Sequence, residues 1–150
     1  MKPFLLLIAV TIFATSFMKL VYGTYNVTLS ARIGLSAMLL FTALGHFMFT
    51  DGMAMMVPDF IPFKKELVYF TGVIEILGAI GLHYPQFQLV TAWLLILFFI
   101  SIIPANIKAS MEQIDYQNAT FKGNGLGYLW FRIPLQFLFI GWVYFSSIRI

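Results

Sequence analysis

Apolar runs of about twenty residues recur along this chain, and a helix of that length matches the roughly 30 Å hydrocarbon core of a bilayer. Lipid offers no water to backbone N–H and C=O groups, so a crossing segment must close its hydrogen bonds internally, as an α-helix does. The chain is 61% hydrophobic and only 10% charged, against roughly 25% charged residues in a soluble domain. It therefore reads as an all-α, polytopic integral membrane protein. Its 150 residues leave room for one transmembrane helical bundle and no second domain.

Five spans are expected, near residues 3–22, 32–50, 67–84, 87–109 and 127–147. The first follows Lys2 and is too long and too uniformly apolar for the h-region of a signal peptide, and no A-x-A site follows it. The second carries Gly34, Ser36, Ala37, Ala43 and Gly45, small residues that let helices approach closely. The stretch 51–66, with Pro58 and Pro62, is too short and broken to cross and is expected to lie at the interface or fold back. A tight turn around His83, Tyr84, Pro85 and Gln86 makes the third and fourth helices an antiparallel hairpin. Residues 111–125 form a polar, glycine-rich aqueous loop. Tyr128, Trp130, Trp142 and Tyr144 place aromatic belts on the fifth span.

Four polar side chains interrupt these apolar runs: His46, Glu75, Asn106 and Arg132. Spans alternate in direction, so the second ends, the third begins, the fourth ends and the fifth begins on one membrane face. By the expected boundaries Glu75 lies about 12 Å from that face, and the other three lie about 5 to 8 Å from their helix ends. All four then share one half of the bilayer.

An ionised Glu near mid-membrane costs at least about 2.5 to 3.5 kcal/mol. Glu75 must therefore be paired, protonated or in contact with water. Arg132 is the expected partner, permanently charged and shaped for a carboxylate. His46 is the alternative, able to exchange a proton with Glu75 near neutral pH. On the third helix Thr71, Gly72, Glu75, Gly78 and Ala79 form a small-and-polar stripe opposite Val73, Ile74 and Leu77. Arg132 and Gln136 sit one turn apart on the fifth. Pro104 should kink the fourth helix and free a carbonyl one turn back, for which the Asn106 amide is a candidate donor.

Glu75 and His46 are thus the candidate catalytic residues, handling protons, and Arg132, Asn106, Gln136, Thr71 and Lys108 are candidate ligand-binding residues. Each has a structural alternative. Glu75 with Arg132 can be an ion pair fixing helix register, His46 an interfacial histidine, Asn106 a group that satisfies the kink, Gln136 an interhelical hydrogen bond and Lys108 a cation reaching the headgroups. Cys is absent, which excludes thiol redox chemistry and thiolate metal ligation. No metal is expected, since His83 belongs near the opposite membrane face from His46 and Glu75. The net charge of +3 lies in loops and helix ends, so it signals anionic lipid as a partner rather than nucleic acid. Lys2, Lys64, Lys65 and Lys122 on one side outnumber Lys19, Arg32 and Arg149 on the other, a small bias toward an N-terminus inside that does not settle the topology by charge alone.

A set of motifs occurs in order from Arg32 to Tyr144: Gly45-His46-Phe47, Val57-Pro58, Ile61-Pro62, Val68-Tyr69, Gly72 through Gly78, Pro104-Ala105-Asn106-Ile107 and Arg132-Ile133-Pro134-Leu135-Gln136. The series resembles the DoxX-like family of small bacterial membrane proteins. The resemblance implies a four-helix core to which this chain adds one N-terminal span, in a bacterial inner membrane. Some members of that family are subunits of a thiosulfate:quinone oxidoreductase or associate with membrane redox complexes. It thus implies a small lipophilic ligand of quinone type in a half-membrane polar cavity, a redox partner protein, or a homo-oligomer. Two other functions fit the same residues: a stand-alone lipid isomerase using a buried acid and base, and a non-catalytic scaffold or proton carrier.

Overall fold

A computed structural model describes residues 2–149, and among them the only regular secondary structure beyond one isolated β-bridge is helical. In chain order the helices are α1 (Lys2–Tyr22), α2 (Val27–Met48), α3 (Thr50–Met56), α4 (Lys64–Gly81), α5 (Gln88–Ser101), α6 (Ile103–Met111) and α7 (Leu129–Val143). A 3₁₀ turn, Leu126–Tyr128, precedes α7, and a π-helical turn, Tyr144–Ile148, follows it. Four stretches are long and apolar enough to cross a membrane: Lys2–Tyr22, Val27–Met48, Gln88–Met111 and Leu126–Ile148. The protein is an all-helical membrane protein.

Helix α2 is central, packing along both α1 and α4. It starts five residues before the expected Arg32 because Asn26 caps it, its side chain accepting from Leu29 N at 3.0 Å. An Asn at this position satisfies one of the amide donors that a helix start leaves open. Ser30, buried in the first turn, bonds back to Asn26 O at 2.9 Å, so a polar first turn costs little.

Helix α4 also starts early, at Lys64, and runs antiparallel to α2. Thr71 lies beside His46, and Ala79 lies beside Ser36. Its buried face is Val68, Gly72, Glu75, Gly78 and Ala79, while Val73 and Leu77 are exposed. This is the stripe expected from the sequence, turned toward α2 and α5. The expected fourth span is two helices, α5 and α6, parted at Ile102. Pro104 lies in the first turn of α6, where its missing N–H costs nothing. The break is therefore a fresh helix start rather than a kink within one helix.

The apolar core joins Leu35, Met38 and Leu39 of α2, Ala79 of α4, Leu95 and Phe99 of α5, and Phe139 and Val143 of α7. The segment expected at the interface forms α3 and an extended strap. It closes the end of the bundle where α2 stops and α4 starts. Lys108 fastens it from α6, donating to Val57 O at 3.0 Å and to Asp59 Oδ1 at 2.8 Å, while Lys64 donates to the same oxygen at 2.7 Å. Beyond α6 the polar loop folds on itself through paired bonds between Asp115 and Thr120. Its Tyr116 carbonyl sits against Gly52 of α3, so closely that a Cβ there would collide with backbone.

Hydrogen bonds from Lys108 and then Lys64, with their charges, hold the exposed Asp59 carboxyl down at about 2. A depressed carboxylate contributes stability that is complete above its ordinary value near 3.8 and is lost as pH falls toward the folded value. Thermal melting of detergent-solubilised protein should therefore fall between pH 4 and pH 2. Asp59→Asn should lower the melting temperature at pH 7 and flatten that acid-side slope.

Candidate functional site

The polar residues found inside the apolar helices form two clusters. In the first, His46 of α2 meets Glu75 of α4, with Nε2 at 3.6 Å from Oε2. Antiparallel packing explains the meeting. Side chains on a helix tilt toward its N-terminus, so Glu75 reaches back toward Lys64 while His46 reaches back toward Val27, and the two converge. Glu75 lies eleven residues after Lys64, about 16 Å along α4, deeper than the sequence boundaries implied. The tilt offsets part of that depth difference.

Gly72 makes the approach possible. A Cβ at Gly72 would stand 2.9 Å from His46 Cβ and 3.2 Å from two atoms of the Phe47 ring. The ring of Phe47 in turn stacks on Tyr69, with centroids 5.8 Å apart.

The other side of the imidazole is committed. His46 Nδ1 lies 3.1 Å from Val68 O and 3.0 Å from Thr71 Oγ1. The Thr71 hydroxyl itself donates to Val68 O at 2.8 Å. A carbonyl can only accept, so a protonated Nδ1 donates to Val68 O, while in the other tautomer Nδ1 accepts from the Thr71 hydroxyl and the hydrogen on Nε2 faces Glu75. A proton shared between imidazole and carboxyl leaves the pair neutral overall. Neutrality matters because Glu75 is only 4% exposed, and its Oε2 has no hydrogen-bond partner among the described residues. An isolated buried charge would be costly at this depth.

The second cluster contains the remaining cation. Arg132 Nη1 donates to Asn106 Oδ1 at 2.9 Å, and Asn106 Nδ2 donates to Gln136 Oε1 at 3.5 Å. Gln136 Nε2 donates to Phe99 O at 2.7 Å. The Arg132 guanidinium also lies over the Tyr128 ring, 5.3 Å from its centroid.

Arg132 therefore does not pair with Glu75. Its side chain follows the tilt of α7 back toward Tyr128 and the membrane face, whereas Glu75 lies deeper and is met by His46. The carbonyl exposed near the helix break is likewise not served by Asn106. The carbonyl one turn before Pro104 is that of Ile100, whereas the Asn106 amide is turned to Gln136 Oε1, and Gln136 from the neighbouring helix donates to the Phe99 carbonyl just before the break. Lys108 belongs to neither cluster and holds the strap.

A third polar group at the opposite face was not recognised in the sequence as a unit. Arg32 Nη1 bonds Gln88 Oε1, and Gln88 Nε2 donates to Ser147 O at 3.0 Å. Beside them Ser36 donates to Ala79 O at 2.9 Å and lies 3.0 Å from His83 Nε2. Burial, and then the nearby Arg32 charge, hold the His83 imidazole below its usual range. Arg32 and Gln88 are 56 residues apart, and nothing local in the sequence links them.

A cleft of about 450 Å³ opens between the end of α2, α3, the start of α4 and the polar loop, lined by Phe47, Thr50, Asp51, Lys65, Tyr69 and Tyr116 among others. A second, of about 410 Å³, lies between the strap and α6. Neither is lined by His46, Glu75, Asn106 or Arg132. The first reaches the pair's immediate neighbours through Phe47.

The fold and site define a small helical membrane protein with a buried acid–histidine pair. The chain belongs to the family described as a domain of unknown function, DUF8561, whose model matches residues 35–147. That range contains both clusters and begins inside α2, leaving α1 outside it. No curated protein and no solved structure matches the chain.

Two substitutions separate the roles of the clusters. Gly72→Val should push α4 away from α2 and destabilise the protein by about 1 to 3 kcal/mol. Gln136→Leu, which leaves the Phe99 carbonyl and the Asn106 amide without their partner, should cost about 1 kcal/mol. Denaturant titration in mixed micelles, followed by tryptophan fluorescence, reads both.

Proposed function

We propose that this protein is a five-span bundle of a bacterial inner membrane in which His46 and Glu75 handle protons for a small lipid-soluble carbonyl compound of quinone type. The observation that carries the reading is the buried Glu75 carboxylate, whose ion-pair contact among the described residues is with a histidine that has its other nitrogen against Val68 and Thr71. Such a pair takes up or gives out a proton as one unit, as general acid–base chemistry requires. Reduction of a quinone to a quinol takes two electrons and two protons. The chain has no Cys, so a partner protein in a membrane redox system supplies the electrons, and the pair relays the two protons one at a time, exchanging each with water at the membrane face so that it returns to neutrality after every transfer.

Helix α4 is the fifth crossing element in this reading. Its 18 residues reach about 27 Å, and its charges gather in the first turn at the headgroup level, apart from Glu75. The motif resemblance to DoxX-like proteins supports both the bacterial membrane and the quinone. The cleft beside Phe47 and Tyr69 provides an approach to the pair from the membrane face.

A second reading, a non-catalytic scaffold, is favoured by the continuous chain from Arg132 through Asn106 and Gln136 to Phe99 O, which knits α5, α6 and α7 without needing a ligand.

Binding of a short-chain ubiquinone analogue to protein in nanodiscs separates the two readings. Glu75→Gln should weaken binding by about tenfold or more, the equivalent of one lost hydrogen bond to a charged group, while Arg132→Gln alters stability first. If Glu75→Gln binds as wild type does and only melts earlier, the scaffold reading stands.

A further inference from the structure

The three basic residues at the end of the bundle opposite the His46–Glu75 pair have no acidic counterpart. The chain has nine Lys and Arg and six Asp and Glu. At the end where α1 stops, α2 and α5 start and the π-helical turn finishes, the basic residues are Lys19, Arg32 and Arg149, and none of the six carboxylates lies there. The other six cations and all six carboxylates belong to the opposite half, which is therefore formally neutral. The whole net charge of +3 resides on one face.

Three of the six strap-end cations pair with carboxylates, while Arg132 there rests on the neutral Asn106 and Tyr128; none of the three cations at the opposite end has a carboxylate partner among the described residues. At the strap end Lys65 pairs with Asp51 at 2.6 Å, and Lys64 and Lys108 share Asp59. Among the described residues, each cation at the opposite end rests on neutral groups. Lys19 donates to Gly23 O at 3.3 Å and lies over Tyr25, and Arg149 lies over Phe145 at 5.9 Å. Arg32 bonds Gln88, while its Nε is enclosed without an acceptor among the described residues. The surrounding groups fix these cations in place without neutralising them. Trp142 adds an interfacial anchor there, donating from Nε1 to Ala31 O at 3.0 Å.

We infer that this face is a contact surface for anionic phospholipid, with Arg32 as its fixed centre and Lys19 and Arg149 as its rim. A phosphodiester headgroup supplies the negative charge that this face lacks among the described residues, and each cation near an anionic leaflet strengthens attachment roughly fivefold. The bundle is thereby held asymmetrically, with the neutral strap end facing the other leaflet. The inference is independent of any ligand at His46 and Glu75.

Full-length protein reconstituted in vesicles of equal phosphatidylglycerol and phosphatidylcholine, then released for native mass spectrometry, tests it. Wild type should retain phosphatidylglycerol in preference to phosphatidylcholine. The exposed pair Lys19→Gln/Arg149→Gln should reduce that retention by roughly 25-fold, from about fivefold per charge, and adding Arg32→Gln should abolish the preference. Lys2→Gln/Lys122→Gln, an equal charge loss at the other end, should leave it unchanged. Equal losses in both double variants, or equal retention of both lipids by wild type, would overturn the assignment. Because Lys19 and Arg149 are exposed, the first double variant remains informative even if the Arg32 change impairs folding.

Discussion

One constraint governs the contacts between helices in this bundle, that a buried donor or acceptor which its own helix does not satisfy must find a partner on a neighbouring helix. Antiparallel packing decides which partner. Because side chains tilt toward the start of their own helix, residues near the end of one helix and well inside the next converge, as His46 and Glu75 do across α2 and α4. Gly72 removes the side chain that would hold those helices apart. The same rule sends Arg132 toward Tyr128 and Asn106, away from the carboxylate that the sequence alone would assign to it.

The two clusters consequently differ in kind. The Arg132 cluster is a chain of donors and acceptors in which each member answers another, ending on the Phe99 carbonyl. It stabilises the junction where α5 gives way to α6. The His46–Glu75 pair contains an atom, Oε2, with no hydrogen-bond partner among the described residues. A fully bonded cluster and an incompletely bonded pair are thus separated within one small protein, and the strap held by Lys108 and Lys64 covers the end at which the pair lies.

Much of the helical organisation was legible in the chain. Hydropathy gave the apolar helices, and the three-and-four spacing of Gly72, Glu75, Gly78 and Ala79 gave the buried face of α4 because both follow from local periodicity. Boundaries were less legible: Asn26 moved the start of α2 through a single side-chain cap, and Pro104 ended one helix and opened another where a kink was expected. The partner of Glu75 was the least legible: its permanent charge made Arg132 the expected partner ahead of His46, and the tilt of each side chain on its helix reverses that order. The Arg32–Gln88–Ser147 group had no local signature at all, because its members meet only when α2, α5 and the π-helical turn are packed together.

Double-mutant cycles on unfolding free energy in mixed micelles address the central claim most directly, that Glu75 is coupled to His46 and not to Arg132. The His46→Gln and Glu75→Gln cycle should show an interaction of about 0.5 to 3 kcal/mol, whereas the Arg132→Gln and Glu75→Gln cycle should add within about 0.5 kcal/mol. Additivity in the first cycle together with coupling in the second would contradict the account.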